Sequence, residues 1–201
     1  WRWCARSSTG DSGVINKAGS ITVAPPASSQ STGNRSYRGH IKVGPTSRYF
    51  VHADGTPFLY VGDTLWAVNS TNANANPNGT GNFYTWANDR KNKKFSVAQV
   101  AAFIEFSNEG GAAFPNNDWN NLNTAFFQAS DLRFSHMWQQ GFVVAMHPTW
   151  LAGTTMTLSQ AINVSRYLMA RYGAFNLVWS LTGEYHDGTP DWKANNYANL
   201  R

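Results

Sequence analysis

The stretch NLVWSLTGEYHDG, Asn176 to Gly188, sets a carboxylate, a tyrosine and a histidine directly behind an apolar run. The chain has only three glutamates, so the position of Glu184 is informative. An apolar run bounded by glycine reads as a strand buried on both faces. The residue behind it stands where the strand leaves its sheet, which is where α/β folds keep their chemistry. Gly183 lets the backbone turn there, so the Glu184 carboxyl is expected at a fixed point rather than adrift in a loop. A carboxyl so placed suits general acid/base work if its surroundings keep it protonated near neutral pH. A partly apolar pocket lined by Trp179 or Tyr185 would do this by disfavouring the charged form. The competing reading makes Glu184 an ion-pair partner for an arginine.

Three earlier runs end in the same manner. Phe58 to Val61 leads into Gly62-Asp63, with Trp66 just behind; FSVAQVAAF holds Gln99; FVVAM, 142 to 146, is followed by His147 and Trp150. With Glu184 and His186 after the fourth run, these residues suit a sugar: polar groups pair with hydroxyls, and tryptophan faces stack on the apolar face of a pyranose or furanose. Asp63, Gln99, His147 and Glu184 are expected to converge on one mouth, because the ends of parallel strands all face the same way. Each assignment has a rival. Asp63 beside glycine also suits a helix or turn cap, and Glu109, in a Gly-rich loop, is either a substrate contact or simply solvated. Trp66, Trp119 and Trp150 divide between sugar platform and core. His147 and His186 without a spaced carboxylate set make a weak metal signal, so sugar contact is the reading kept and no metal is expected.

The elements that must carry these residues alternate. Two short extended runs and a turn at Asp54-Gly55 precede the strand at about 58 to 62. GNFYTWANDRKNKKF reads as a helix, and the strand at 95 to 100 follows. Thr124 to Gln140 is expected to be helical, with Phe127, Leu132 and Trp138 among its apolar residues and Gly141 as its stop. After the strand at 142 to 146, Thr157-Leu-Ser-Gln160 fits a capping box. The helix behind it carries Ile162, Ser165, Leu168, Met169 and Tyr172 at helical spacing up to Gly173. The strand at 176 to 181 and a helix start near 190 to 200 complete a βαβαβαβ order, which right-handed crossovers turn into a parallel sheet in chain order. Residues 1 to 36, rich in Ser, Gly, Thr, Ala and Pro, read as an arm or linker with one short strand at Ser20 to Val23.

Composition narrows the classes. A chain of 201 residues, 42% hydrophobic, has material for one sizeable core. The basic cluster DRKNKK, 89 to 94, reads as the end of an exposed helix. No stripe of Lys and Arg interleaved with aromatics accompanies it, so no nucleic-acid partner is expected. No apolar run approaches the roughly 18 residues that span a bilayer. Cys4 is the single cysteine, which excludes an intrachain disulfide, and the first strand is not followed by Gly-x-Gly-x-x-Gly, which argues against a dinucleotide fold. No cofactor is called for. Only 13% of residues are charged while Asn, Ser, Thr and Gly abound, a balance that points to a secreted or periplasmic protein. The start at Trp1 is read as a removed signal peptide or a fragment boundary. Sequons at Asn34, Asn69, Asn78 and Asn163 matter only in a glycosylating host.

Several segments in register, GTPFLYVGDTLWAV, SNEGGAAFPNNDWNNLN, AFFQASDLRFSHMWQQGFVVAMHPTW and YLMARYGAFNLVWSLTGEY, together resemble the apiosidase-like glycoside hydrolases. These are bacterial TIM-barrel proteins often found with a C-terminal domain assigned to collagen binding. The resemblance runs from about residue 39 to 190. It implies a (β/α)8 glycosidase of retaining or related type acting on a plant, algal or microbial polysaccharide. In such a barrel a carboxylate after strand four is the acid/base, here Glu184, and a second after strand seven is the nucleophile. Some members carry Asp at the Glu184 position.

Only four strand-helix units fit in 201 residues, whereas a closed barrel needs eight and about 250 residues. Half a barrel leaves open edges and an apolar face. The expectation is therefore a chain completed by a further polypeptide segment or by copies of itself, with the nucleophile outside it, and not a complete catalyst alone. A noncatalytic glycan-binding or self-assembling secreted protein is the alternative. It would not require a glutamate behind a strand beside Trp179.

Overall fold

The computed structural model describes residues 2–10, 12, 15–22, 33–76, 78–103, 108–148 and 156–180. The chain divides into two compact units, Trp1–Gly33 and Asn34–Arg201. In the first, β1 (Arg2–Cys4) and β2 (Ala18–Ser20) pair antiparallel, with Trp3 opposite Gly19. The short strand thus lies just before the expected Ser20 to Val23. Gly19 fixes its place, because a Cβ there would meet the Trp3 ring at 2.8 Å.

Two sheets build the second unit. β3 (Ile41–Val43), β4 (Phe50–His52) and β5 (Pro57–Phe58) form an antiparallel three-stranded sheet, β4 and β5 being joined through Asp54 and Gly55. β6 (Gly62–Thr64), β7 (Val97–Ala101), β8 (Val143–His147) and β9 (Leu177–Trp179) lie side by side in chain order, all parallel. The intervening helices are α1 (Asn82–Asn92), α2 (Thr124–Gln139) and α3 (Leu158–Tyr172). The βα alternation of the sequence therefore becomes a parallel α/β sheet.

The first strand differs from expectation. Phe58 belongs to the antiparallel sheet opposite Phe50, and the parallel strand starts only at Gly62. Ser96 explains the break: its hydroxyl donates to the Leu59 carbonyl and accepts from the Val61 N–H, at 2.9 Å for the latter, so a side chain satisfies groups that a sheet ladder would otherwise take.

Strand alternation sorts the sheet into two faces. Ala98, Val100, Val144 and Met146 point to the helices, where Phe83 and Ala87 of α1, Phe126, Phe134 and Met137 of α2, and Val164, Leu168 and Tyr172 of α3 close the main core. Each fully buried Phe or Leu contributes about 1.5–3 kcal/mol. On the other face Val97, Val143 and Ala145 pack with Phe58, and Ile41, Phe50 and Val178 support them.

The helix ends follow local chemistry. Thr157 and Gln160 form the reciprocal capping box that their spacing suggested. Gly141 takes a φ of 83° beyond α2. The buried stripe of α3 is Ala161, Val164, Leu168 and Tyr172, whereas Met169, expected on that face, is exposed. β9, expected to be buried on both faces, is half-buried throughout. Two histidines are set into apolar surroundings. His52 lies edge-on to Phe58 at 5.2 Å, and His136 edge-on to Tyr84 at 4.7 Å. Burial holds both below the ordinary histidine value.

Candidate active site

Register decides which side chains meet. Thr64, Gln99, Ala145 and Val178 stand opposite one another across the four parallel strands, and Ala101 stands opposite His147 two residues further on. Gln99 and His147 therefore point from the same face of the sheet, near the C-terminal ends of β7 and β8. They touch: Gln99 Nε2 lies 3.0 Å from His147 Nε2. The carboxamide and the imidazole thus share a hydrogen bond across the two strands.

Trp66 joins them. Beyond β6 the Leu65 N–H donates to the Gln99 carbonyl at 2.9 Å, and the Ala101 N–H donates to the Trp66 carbonyl at 3.2 Å, which prolongs the sheet pairing past the strand. The Trp66 ring then meets the His147 ring edge-on, centroids 5.4 Å apart and planes at 68°. An imidazole, a carboxamide and an indole at a strand-end mouth can bind hydroxyls and a sugar face. They do not by themselves supply a proton-transferring carboxyl.

Asp63 is not part of this group. It stands opposite Ala98 and in line with Val144, both on the helix side, and its carboxylate engages Arg90 near the end of α1. The Arg90 guanidinium holds the Asp63 carboxyl below the usual carboxylate range. The parity of the strand turns Asp63 away from the mouth that Gln99 faces.

Glu109, expected as a substrate contact, is likewise engaged elsewhere. Its Oε2 accepts from Arg133 at 2.6 Å and from the Ala75 N–H at 3.2 Å. Arg133 on α2 is 0% exposed, and its second bond from the same nitrogen runs to the Ala73 carbonyl at 2.9 Å. Trp119 is core, packed against Phe103 and Phe114. Glu184, His186 and Trp150 lie outside the described residues. Among the described residues no three His, Cys, Asp or Glu side chains are placed to hold a metal ion, and no helix is long and apolar enough to cross a membrane.

Arg133 and Asn69 are the participants that the residue types alone concealed. Asn69 is buried, donates to the Ala102 carbonyl at 3.1 Å and accepts from Ser130 at 2.8 Å. A signal existed for Arg133: it falls on the Phe126, Ser130, Met137 stripe of α2, the face turned to the core.

Comparison with known proteins places this arrangement. Among solved structures, a glycoside hydrolase of family 5 from Bacteroides vulgatus superposes with a TM-score of 0.64 at 18% identity, covering 83% of this chain and 38% of that one. A second structure, described as a glycoside hydrolase, gives 0.62 at 20% identity with coverages of 83% and 38%. These likenesses establish the fold, and the chain spans well under half the length of either structure. No curated protein matches the sequence. A family model described as the apiosidase-like catalytic domain matches residues 45–198, and the chain belongs to that family.

Proposed function

We propose that this chain carries one half of a glycosidase active site, with the sugar lying over the mouth formed by Gln99, His147 and Trp66 and with Glu184 as general acid/base. The observation that carries the reading is the meeting of those three side chains at the C-terminal ends of parallel strands, within a chain of apiosidase-like family. Glu184 follows β9 as His147 ends β8, so the next strand end is where its carboxyl would enter the same mouth. It would protonate the leaving-group oxygen of a glycosidic bond and afterwards activate water, while the second carboxylate comes from polypeptide outside these residues. The substrate class is a plant, algal or microbial polysaccharide, met outside the cytoplasm by a secreted or periplasmic enzyme.

The need for further polypeptide has its own support. In the described residues β6 and β9 are the two edges of the four-stranded parallel sheet, each paired on one side only. Such edges suit a further segment or a second copy that closes the barrel.

Turnover of a plant and algal glycan panel by the full-length protein, beside its Glu184→Gln variant, tests the assignment. General acid/base catalysis contributes about 10²- to 10⁴-fold, so the variant should lose that much on substrates with poor leaving groups and less on an activated aryl glycoside. Equal loss on both would make Glu184 a nucleophile or a structural residue, and equal turnover would remove it from the mechanism.

A further inference from the structure

We propose that Glu109 and Arg133 are positioning residues: a clamp, with its arginine fully buried, that holds the loops behind β6 and β7 and thereby sets Trp66 against His147. The inference rests on the reading of that mouth as the sugar site, but its geometry stands apart from any activity.

The clamp joins three parts of the chain. Arg133 reaches from α2 to the Glu109 carboxylate at 2.6 Å and to the Ala73 carbonyl at 2.9 Å, while its other terminal nitrogen donates to Ala129 within α2. Glu109 in turn accepts from the Ala75 N–H. The loop behind β6, which carries residues 66 to 76, and the loop behind β7, which carries Glu109, are thus fastened to one guanidinium. A guanidinium suits this task because its fork of donors can hold a carboxylate and a carbonyl together.

From the clamp, hydrogen bonds run without a gap to the site. The Glu109 N–H donates to the Asn69 carbonyl at 2.9 Å. The Asn69 side chain donates to the Ala102 carbonyl at 3.1 Å, and the Ala102 N–H donates to the His147 carbonyl at 2.9 Å. Ser130 on α2 fixes the other end of the Asn69 amide. Trp66 lies three residues before Asn69, so the indole's place is set by the segment that this network anchors. Gly110 completes the approach: at φ +80° its backbone passes α2 so closely that a Cβ would stand 2.5 Å from the Ala125 carbonyl oxygen. The carboxylate is held beneath the site, where a second-layer group fixes what the first layer presents.

The test uses the full-length protein with isotope-labelled histidine. The double variant Glu109→Gln/Arg133→Met removes both charges together, and Glu109→Gln alone leaves the arginine without its acid. In the double variant the His147 ring-proton signal, displaced by the indole ring current, should move as it moves in Trp66→Ala, with His147→Gln supplying the assignment. Amide exchange at 67–76 and 108–114 should rise about tenfold or more, while β7 and β8 keep their protection. On a turned-over glycan, KM should rise about tenfold with kcat changed far less, the split expected when binding contacts rather than chemistry are lost. An unmoved His147 signal, unchanged exchange, or global unfolding of the double variant would each overturn the clamp. A wild-type protein inactive on every glycan would defeat the glycosidase reading and leave the signal and exchange measurements to decide the clamp.

Discussion

Asp63, inside β6, and Glu109, in the loop behind β7, invite comparison because each pairs with an arginine of the next helix, Arg90 on α1 or Arg133 on α2. The resemblance ends at solvent. Arg90 keeps 28% of its side chain exposed and also engages Asp89, so water and a second acid share its charge. Arg133 is fully buried, and Glu109 is the one carboxylate it meets among the described residues. A surface pair gains little because water solvates both ions nearly as well, whereas removing one partner of a buried pair leaves a charge with nothing to balance it. An acid paired with an arginine in each of two successive βα units thus does different physical work.

Breaking the buried pair should give the largest effect. Glu109→Gln is expected to cost about 3–5 kcal/mol in urea unfolding, since it leaves the Arg133 guanidinium inside without its acid. Arg133→Met should cost less, about 1–3 kcal/mol, because Glu109 retains 25% exposure and can turn to water. A larger loss from Arg133→Met would place the desolvation burden on the carboxylate instead.

Acid sharpens the comparison with a third kind of group, an imidazole set among aromatic rings. His52 and His136 have folded-state values below the ordinary one, chiefly through burial. The unfolded chain then binds more protons than the folded one below about pH 6.5, so stability should be level above that pH and fall as pH drops beneath it. His136→Phe should flatten this slope in a series of urea midpoints. Asp63 acts in a separate window: its depressed value contributes stability above about pH 4 that is lost on further acidification. The smallest change is expected from Asp63→Asn near neutrality, under about 1 kcal/mol and fading as salt approaches ~1 M. A loss as large as that of Glu109→Gln would erase the distinction between the pairs.

How legible this was depended on the kind of pattern involved. The parallel strands were readable as short unbroken apolar runs, the helices through the period that one buried face imposes, and the capping box at Thr157 because it needs only local bonds. The placement of Asp63 was not, since it was expected behind the first strand and instead lies within β6, where the alternation of the pleat turns it to the helix side. Gln99, His147 and Trp66 could be named from their strand ends, but their contact required the register of β6, β7 and β8. Arg133 hid because an arginine on a helix is ordinarily an outward residue. Only its position on the Phe126, Ser130, Met137 stripe marked it as inward, and its acid lay 24 residues away.

The burial of Asn69 bears on how this protein can be produced. Asn69-Ser70-Thr71 is an N-glycosylation sequon, and a eukaryotic secretory pathway attaches its glycan to nascent chain before the fold is complete. In the folded molecule the Asn69 amide is 3% exposed and spends both its oxygen and its nitrogen on Ser130 and Ala102. An attached oligosaccharide would have no route to solvent, so each chain modified there is withdrawn from productive folding. Thr71, by contrast, is exposed, and Thr71→Ala erases the sequon while leaving the Asn69 amide as it is. In yeast or insect cells that single change is expected to raise the secreted yield, and in a bacterial host, which leaves the sequon unread, to do nothing.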